Sequence, residues 1–451
     1  LAGLGVSPGD RVAVGWPTSV AFVSSYLGVL AAGAVAVPLN PASPAPELRG
    51  ELERVRTAAV LGDARRSAAL VEAAASLGLP VLDEVARGDD ALEPVDRDDA
   101  DAAVFLFTSG TAGEPRPAVL GHGNLRANLE QMLALPGEMA RPDDVGFSAV
   151  PLSHVFGLNV ALGLTLATGA SLVLQERFDA GRSLELMAQE SVTWLLGVPA
   201  MFAAWAELAG GAGGDGLARV RRAVSGAAAL SPETAARFEE RTGVPVWQGY
   251  GLTEASPAVA TAAGTGRNRP GSVGRALPGV ELRLVDEAGA DVLVGDPGEI
   301  WVRGPNVFQG YFEDPGATAE VLDGDGWLHT GDVAVVGEDG DLFIVDRRKD
   351  LVIVSGFNVF PAEVEKVALA VPGVADAVVV GRPDPQTGEA VELVVVRGGD
   401  EAAVTEDQLR AACRASLARY KCPSTVRFVD RLPRGLTGKA LRRALREDQP
   451  A

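Results

Sequence analysis

Only two of the 451 residues are cysteine, Cys413 and Cys422, and only three are histidine. Two cysteines build neither a disulfide framework nor a cysteine-rich zinc site, so the expectation is a pair of packed thiols in a reducing compartment. Aromatic residues are scarce at 5%, whereas 54 glycines and 29 prolines predict many turns. Positive charge is also short. The net charge of −20 disfavours nucleic acid as a partner, because a phosphate backbone needs a compensating cationic face. Long unbroken apolar runs are missing. Residues 19–39 and 150–174 come nearest, but Gly and Pro interrupt both, and the second contains Ser153, His154 and Asn159. They read as buried helix–strand units and not as an integral membrane segment. No signal-peptide pattern opens the chain, which places it in the cytoplasm by expectation. It begins at Leu1, and residues 1–10 read as a helix end and a turn, so a missing front segment is expected.

An apolar content of 47% can fill a large core, and the length suits roughly three domain-sized units. The chain is organised around Thr108-Ser109-Gly110-Thr111-Ala112-Gly113-Glu114-Pro115-Arg116. It follows an apolar run, residues 103–107, that reads as a buried strand. Hydroxyls and glycine-flanked backbone N–H groups suit phosphate oxygens, yet a GxxxxGK[ST] spacing is absent throughout. A polar turn between two strands is the other reading of this stretch.

Up to about residue 271, strands near 34–39, 118–120, 145–150, 192–196, 220–225 and 244–248 alternate with helical stretches. That pattern indicates a largely parallel sheet flanked by helices. His154 falls where a strand gives way to a helix, a position that holds either a ligand contact or a core residue. After residue 271 short strands dominate, at 280–285, 299–303, 333–336 and 342–345. Beyond Asp346-Arg347-Arg348-Lys349-Asp350 lies a small α+β unit, with helices from Pro361 and Thr405 and a basic final helix. The predicted class is therefore α/β. A large N-terminal domain of parallel-rich sheets, 1–348, includes a β-rich subdomain at about 271–348. A small mobile α+β domain, 349–451, follows.

Charge is distributed unevenly. Residues 83–101 carry nine acids against two arginines and read as a solvated connection. Residues 410–446 carry eleven lysines and arginines and one acid, Asp430. That basic stretch either attracts an anionic ligand or faces the acidic body across a domain contact.

Five motifs occur in a fixed order: the loop at 108–116; Pro151-Leu152-Ser153-His154-Val155-Phe156-Gly157; Tyr250-Gly251-Leu252-Thr253-Glu254; His329-Thr330-Gly331-Asp332 with residues 346–350; and Thr437-Gly438-Lys439. Together they resemble the adenylate-forming superfamily of acyl-CoA synthetases, nonribosomal peptide synthetase adenylation domains and luciferases, over residues 5–446. Residues 151–159, 224–230 and 354–361 make the likeness strongest to fatty- and medium-chain acyl-CoA synthetases.

The resemblance implies that a carboxylic acid is activated by ATP as an acyl-adenylate and passed to the thiol of coenzyme A. It implies that Thr108, Ser109, Gly110, Thr111, Gly113 and Arg116 hold phosphates, and that Glu254 with Thr108 holds Mg²⁺. Gly226, Ala227, Ala228, Gln248, Gly249, Tyr250, Gly251 and Thr253 would enclose the nucleotide, with Asp332 and Arg347 on the ribose and Lys439 as the mobile cation. His154, Val155, Phe156, Asn159 and Phe202 would line the acyl pocket, although core packing serves Phe202 equally well. Ser355, Gly356 and Phe357 would border a thiol channel, and Lys349 would be the hinge. Loading of a carrier protein's phosphopantetheine, and nucleotide binding with little catalysis, stay open as alternatives; the family also leaves room for a homodimer. The loop departs from the family's habit at Ala112, Arg116 and Pro117, where a hydroxyl, a lysine and a glycine are usual. These changes bear on pyrophosphate handling and leave the fold untouched.

Overall fold

The computed structural model describes the chain except residues 84–92, 109–114, 138, 210–213, 267, 348–349, 355–356, 385–386, 399–403, 436–439 and 448–451. It divides into two compact units: Leu1–Leu282 with Trp301–His329, and Arg283–Ile300 with Thr330–Ala451.

The first unit holds two sheets. One has six strands in the order Val81–Leu82, Ala59–Leu61, Arg11–Val14, Val35–Pro38, Ala102–Thr108 and Arg116–Gly121. Its neighbours run parallel except the last pair, an antiparallel hairpin in which Thr108 faces Arg116. Val35–Pro38 is buried at every position, as strands covered on both faces must be. The helix Val20–Ala31 starts where the Ser19 hydroxyl accepts the Phe22 N–H at 3.3 Å.

The second sheet has seven strands in the order Arg275–Ala276, Ala258–Thr261, Val246–Gly251, Arg222–Ser225, Trp194–Gly197, Val145–Ser148 and Ser171–Leu174. The last five are parallel. Their C-terminal ends therefore meet on one edge, where ligands bind in open α/β sheets. From that edge emerge the segments carrying His154, Gly226 and Glu254. The helix Pro232–Thr242 has Ser231 as its cap, proline in its first turn and Gly243 at φ 72° as its stop.

A four-stranded sheet joins Glu281–Val285, Gly298–Arg303, Leu328–Val336 and Leu342–Arg347. In the second unit, Phe357–Val359, Val352–Val354, Gly388–Arg397 and Val374–Asp384 form a further sheet, with Thr425–Val429 parallel to Gly388–Arg397. One face of it packs on the helices Pro361–Leu369 and Glu406–Ser416 through Val364, Ala368, Leu409 and Cys413. Cys413 is buried and Cys422 partly so, and both are free thiols. Burial, with Cys422 close by, pushes the Cys413 thiol up to about 11.

The basic stretch has found acids, and within its own unit. Arg410 pairs with Glu406, Lys421 with Glu363, Arg427 and Arg382 with Glu392, Arg434 with Asp376, Arg442 with Glu365 at 2.6 Å, and Arg446 with Asp350. Among the described residues no helix is long and apolar enough to cross a membrane.

Candidate active site

The hairpin Ala102–Thr108 and Arg116–Gly121 anchors the organising loop. Ala103, Val104, Phe105 and Leu106 are buried, so both loop ends start from rigid structure. Ser109, Gly110, Thr111 and Gly113 lie outside the described residues. Pro117 brings no N–H, but its carbonyl is used, accepting from the Phe312 N–H at 2.9 Å. The segment 309–312 runs along this edge, with Val119 N–H bonded to Gly310 O and Gln309 N–H to Val119 O. That pairing places Tyr311 beside the loop base.

Glu254 sits in the short turn Thr253–Ala255, just past the seven-stranded sheet. Three side or main chains hold that turn by its carbonyls. Phe308 N–H bonds Glu254 O at 2.8 Å, Asn306 Nδ2 bonds Ala255 O at 2.9 Å, and Asn159 Nδ2 bonds Ser256 O at 2.7 Å. Asn306 is fully buried and also accepts from Gln131 Nε2 at 3.2 Å. Gly251 tolerates no side chain, since a Cβ there would lie 2.1 Å from Pro257 O.

The Tyr311 hydroxyl donates to Glu254 Oε1 at 2.7 Å. Burial first, and then the Glu254 carboxylate, holds this phenol well above the ordinary tyrosine range. Sequence reasoning names Glu254; it misses the tyrosine that bonds it. The available signal was composition. Only four tyrosines are present, and a buried one usually bonds through its hydroxyl.

Arg116 points toward Asp314 at 3.6 Å and Glu320 at 3.8 Å, and its guanidinium lies 5.8 Å from the Tyr311 ring centroid. Its charge is thus balanced by two carboxylates at the loop base. The planar fork suits that pairing better than a lysine ammonium would.

The acyl-pocket candidates cluster separately. The His154 Nδ1 accepts the Phe156 N–H at 3.3 Å, which leaves the ring proton to Nε2. Burial pushes this imidazole down to about 4, so it is neutral at pH 7. Phe156 begins a π-helix, Phe156–Gly163, and its ring abuts Gly226, where a Cβ would meet the ring at 2.7 Å. Ala227 follows at φ 67°, a backbone shape that costs a non-glycine residue energy and clusters at functional turns. Val155 is buried. Asn159 is buried, with its amide bonded to the Leu125 and Ser256 carbonyls. Phe202 is fully buried and edge-on to both Trp205 and Phe238, with centroids 5.4 and 5.1 Å away, so its ring is core here.

Gln248 is buried, and its Oε1 accepts the Leu230 N–H at 3.0 Å. It therefore fixes the 226–230 turn. Ser225 and Gln248 are register partners, so Gly226, Ala227 and Ala228 leave the sheet beside Gly249 and Tyr250.

In the second unit Asp332 is buried and its backbone faces Arg347 in register. Thr330 Oγ1 donates to Ile300 O at 2.8 Å and accepts the Asp332 N–H at 3.1 Å. Gly331, at φ 68°, kinks the strand between them. Phe357 is exposed and stacks on Tyr420 with centroids 4.9 Å apart. Lys349, Ser355, Gly356 and Lys439 lie outside the described residues.

Among the site candidates that the structure describes are Thr108 and Arg116 at the two ends of the loop, Glu254 bonded to Tyr311 beside them, and a neutral His154 past a strand end of the second sheet. The chain matches the AMP-binding enzyme family over residues 1–312 and the AMP-binding enzyme C-terminal domain over residues 363–439. It belongs to this adenylate-forming family and is an AMP-forming ligase of the acyl-CoA synthetase kind. It is 38% identical to a feruloyl-CoA synthase of Amycolatopsis sp over 450 residues, 99% of this chain and 90% of that protein. It is 34% identical to a long-chain-fatty-acid–CoA ligase of Yersinia pestis, covering 99% and 86%. The crystal structure of ATP-bound MatB from Rhodopseudomonas palustris superposes with a TM-score of 0.91 at 36% identity, covering 99% and 90%.

Proposed function

We propose that the chain activates a carboxylic acid with an apolar, uncharged tail and transfers it to coenzyme A. One acid oxygen attacks the α-phosphorus of ATP, the bond to the β-phosphate breaks, and pyrophosphate leaves. The coenzyme A thiolate then attacks the acyl carbon and AMP departs. Charge builds on phosphate oxygens in the first step, so the protein's task is placement and electrostatic stabilisation.

The observation that carries this reading is Glu254, held through Tyr311 at the base of the hydroxyl-rich loop, where the strand ends in Thr108. Glu254 and Thr108 are both oxygen donors, the kind a hard cation takes. Among the described residues nothing bonds Glu254 Oε2, and no group of three or more His, Cys, Asp or Glu converges. Such a sparse set suits Mg²⁺ completed by phosphates and water. Bound there, the ion would neutralise phosphate charge. Glu254 and Thr108 hold it, while Ser109, Gly110, Thr111 and Gly113 cradle phosphates and Arg116 braces the loop base. Asp332 accepts from the ribose hydroxyls with Arg347 near, Tyr250 flanks the base, and Lys439 steadies the α-phosphate. Lys349 is the hinge that lets the chain beyond it serve each half-reaction, with Ser355, Gly356 and Phe357 toward the thiol.

The apolar tail is supported by the acyl-side residues: a neutral His154 with Val155, Phe156 and the Gly226–Ala228 turn, and no charge to meet a second carboxylate. The test is a panel of fatty, hydroxycinnamic and dicarboxylic acids with ATP, Mg²⁺ and coenzyme A. Expected are acid-dependent exchange of labelled pyrophosphate into ATP, AMP release and a thioester mass. No exchange with any acid would reduce the chain to a nucleotide binder. Exchange with acylation of a carrier protein alone would replace coenzyme A as acceptor.

A further inference from the structure

We propose that Tyr311 is a positioning residue for the metal-holding carboxylate: its hydroxyl sets the rotamer of Glu254, so that the acid meets the cation already aimed. The inference rests on the assignment of Glu254 to Mg²⁺.

A phenol can donate one hydrogen bond and accept another at the same oxygen. Here it donates to Glu254 Oε1 at 2.7 Å. Engaging Oε1 restrains the carboxylate, while among the described residues nothing bonds Oε2. A free Glu side chain has three rotatable bonds to restrain before it can hold an ion, and that restraint is what a supporting hydrogen bond supplies.

The tyrosine is held independently of its hydroxyl. Its N–H donates to Thr318 Oγ1 at 2.9 Å and its backbone bridges Ala118. Its ring is edge-on to Phe308, with centroids 5.0 Å apart at 75°. The Arg116 guanidinium, pinned by Asp314 and Glu320, lies over it. Loss of the oxygen alone therefore leaves the ring seated and the loop base intact. This also gives Arg116 a purpose at a position where the phosphate-facing role was expected: it backs the ring that orients the acid.

The experiment is calorimetric binding of ATP to wild type, Tyr311→Phe and Glu254→Gln, with Mg²⁺ varied and with EDTA. Thermal melting reports folding. In Tyr311→Phe the half-saturating Mg²⁺ concentration should rise about tenfold, the scale of one hydrogen bond to a charged group. ATP binding in EDTA and the melting temperature should stay at wild-type values. If Tyr311→Phe matches wild type while Glu254→Gln raises the Mg²⁺ demand, the positioning role is wrong and the metal assignment stands. If Glu254→Gln leaves the Mg²⁺ demand unmoved, the metal assignment itself fails. A Tyr311→Phe defect of equal size in EDTA would make the hydroxyl a nucleotide contact and overturn the proposal.

Discussion

His154 shows how a single environment sets both charge and consequence. Its apolar surroundings favour the neutral ring and depress its folded pKa to about 4, whereas an unfolded histidine titrates near ~6.5. Between those values the unfolded chain binds the extra proton, so this residue's contribution to stability is present above pH ~6.5 and falls away as pH drops toward 4. His154→Gln should therefore flatten the loss of stability between pH 6.5 and 4, read from urea melts at several pH values. An unchanged slope would place the acid sensitivity elsewhere. At this scale the sequence was legible where a residue belongs to a spelled motif, as Thr108 and Glu254 do. It was silent about Tyr311, because the bond to Glu254 spans 57 positions and no local pattern encodes a long-range pairing. Gln248 illustrates a second gap: its type suits a base contact, yet the fold gives its oxygen to the Leu230 N–H.

Elements were legible where periodicity or caps mark them. Ser231-Pro232 and Thr405 do open helices, and both hydroxyls accept an N–H three residues on. Two features escaped. The stretch after His154 folds as a π-helix, and an apolar run does not distinguish an i−4 from an i−5 ladder. Strand Leu328–Val336 starts before the expected residue 333, and strand Leu342–Arg347 continues past residue 345. Polar His329, Thr330 and Asp332, and charged Asp346 and Arg347, fall outside the expected strands, but antiparallel pairing of Asp332 with Arg347 keeps them extended. The segment bearing Glu254 depends on buried amides whose partners are carbonyls of a neighbouring turn. Asn306→Ala removes donors to Ala255 O and Ala258 O and the acceptor of Gln131. It should cost about 3 kcal/mol in urea unfolding, the order expected for leaving buried polar groups unpaired. A loss below ~0.5 kcal/mol, typical of a neutral surface change, would show that the turn holds without it.

At the scale of the whole molecule, the α/β class and the β-rich region past residue 271 followed from the change in strand spacing. The pairing of basic residues did not, because a charge run says nothing of which acids the fold will bring to it. The proposed hinge gives the prediction that belongs here. Lys349→Pro restricts the backbone that must turn, so thioester formation should fall by about tenfold or more while pyrophosphate exchange stays near wild type. Equal loss of both would argue against a hinge at that position. Among the described residues, the ion pairs of the basic stretch have their acids at positions 346, 350, 363, 365, 376, 392 and 406. Asp346, which pairs with Arg442 at 3.9 Å, falls before Lys349 and the rest fall after it. A gene crossover ahead of the Asp346 codon, and not at Lys349, would carry every one of these pairs across together, so a C-terminal segment begun there is suited to exchange between relatives as a cassette, arriving in a new host already electrically matched to itself.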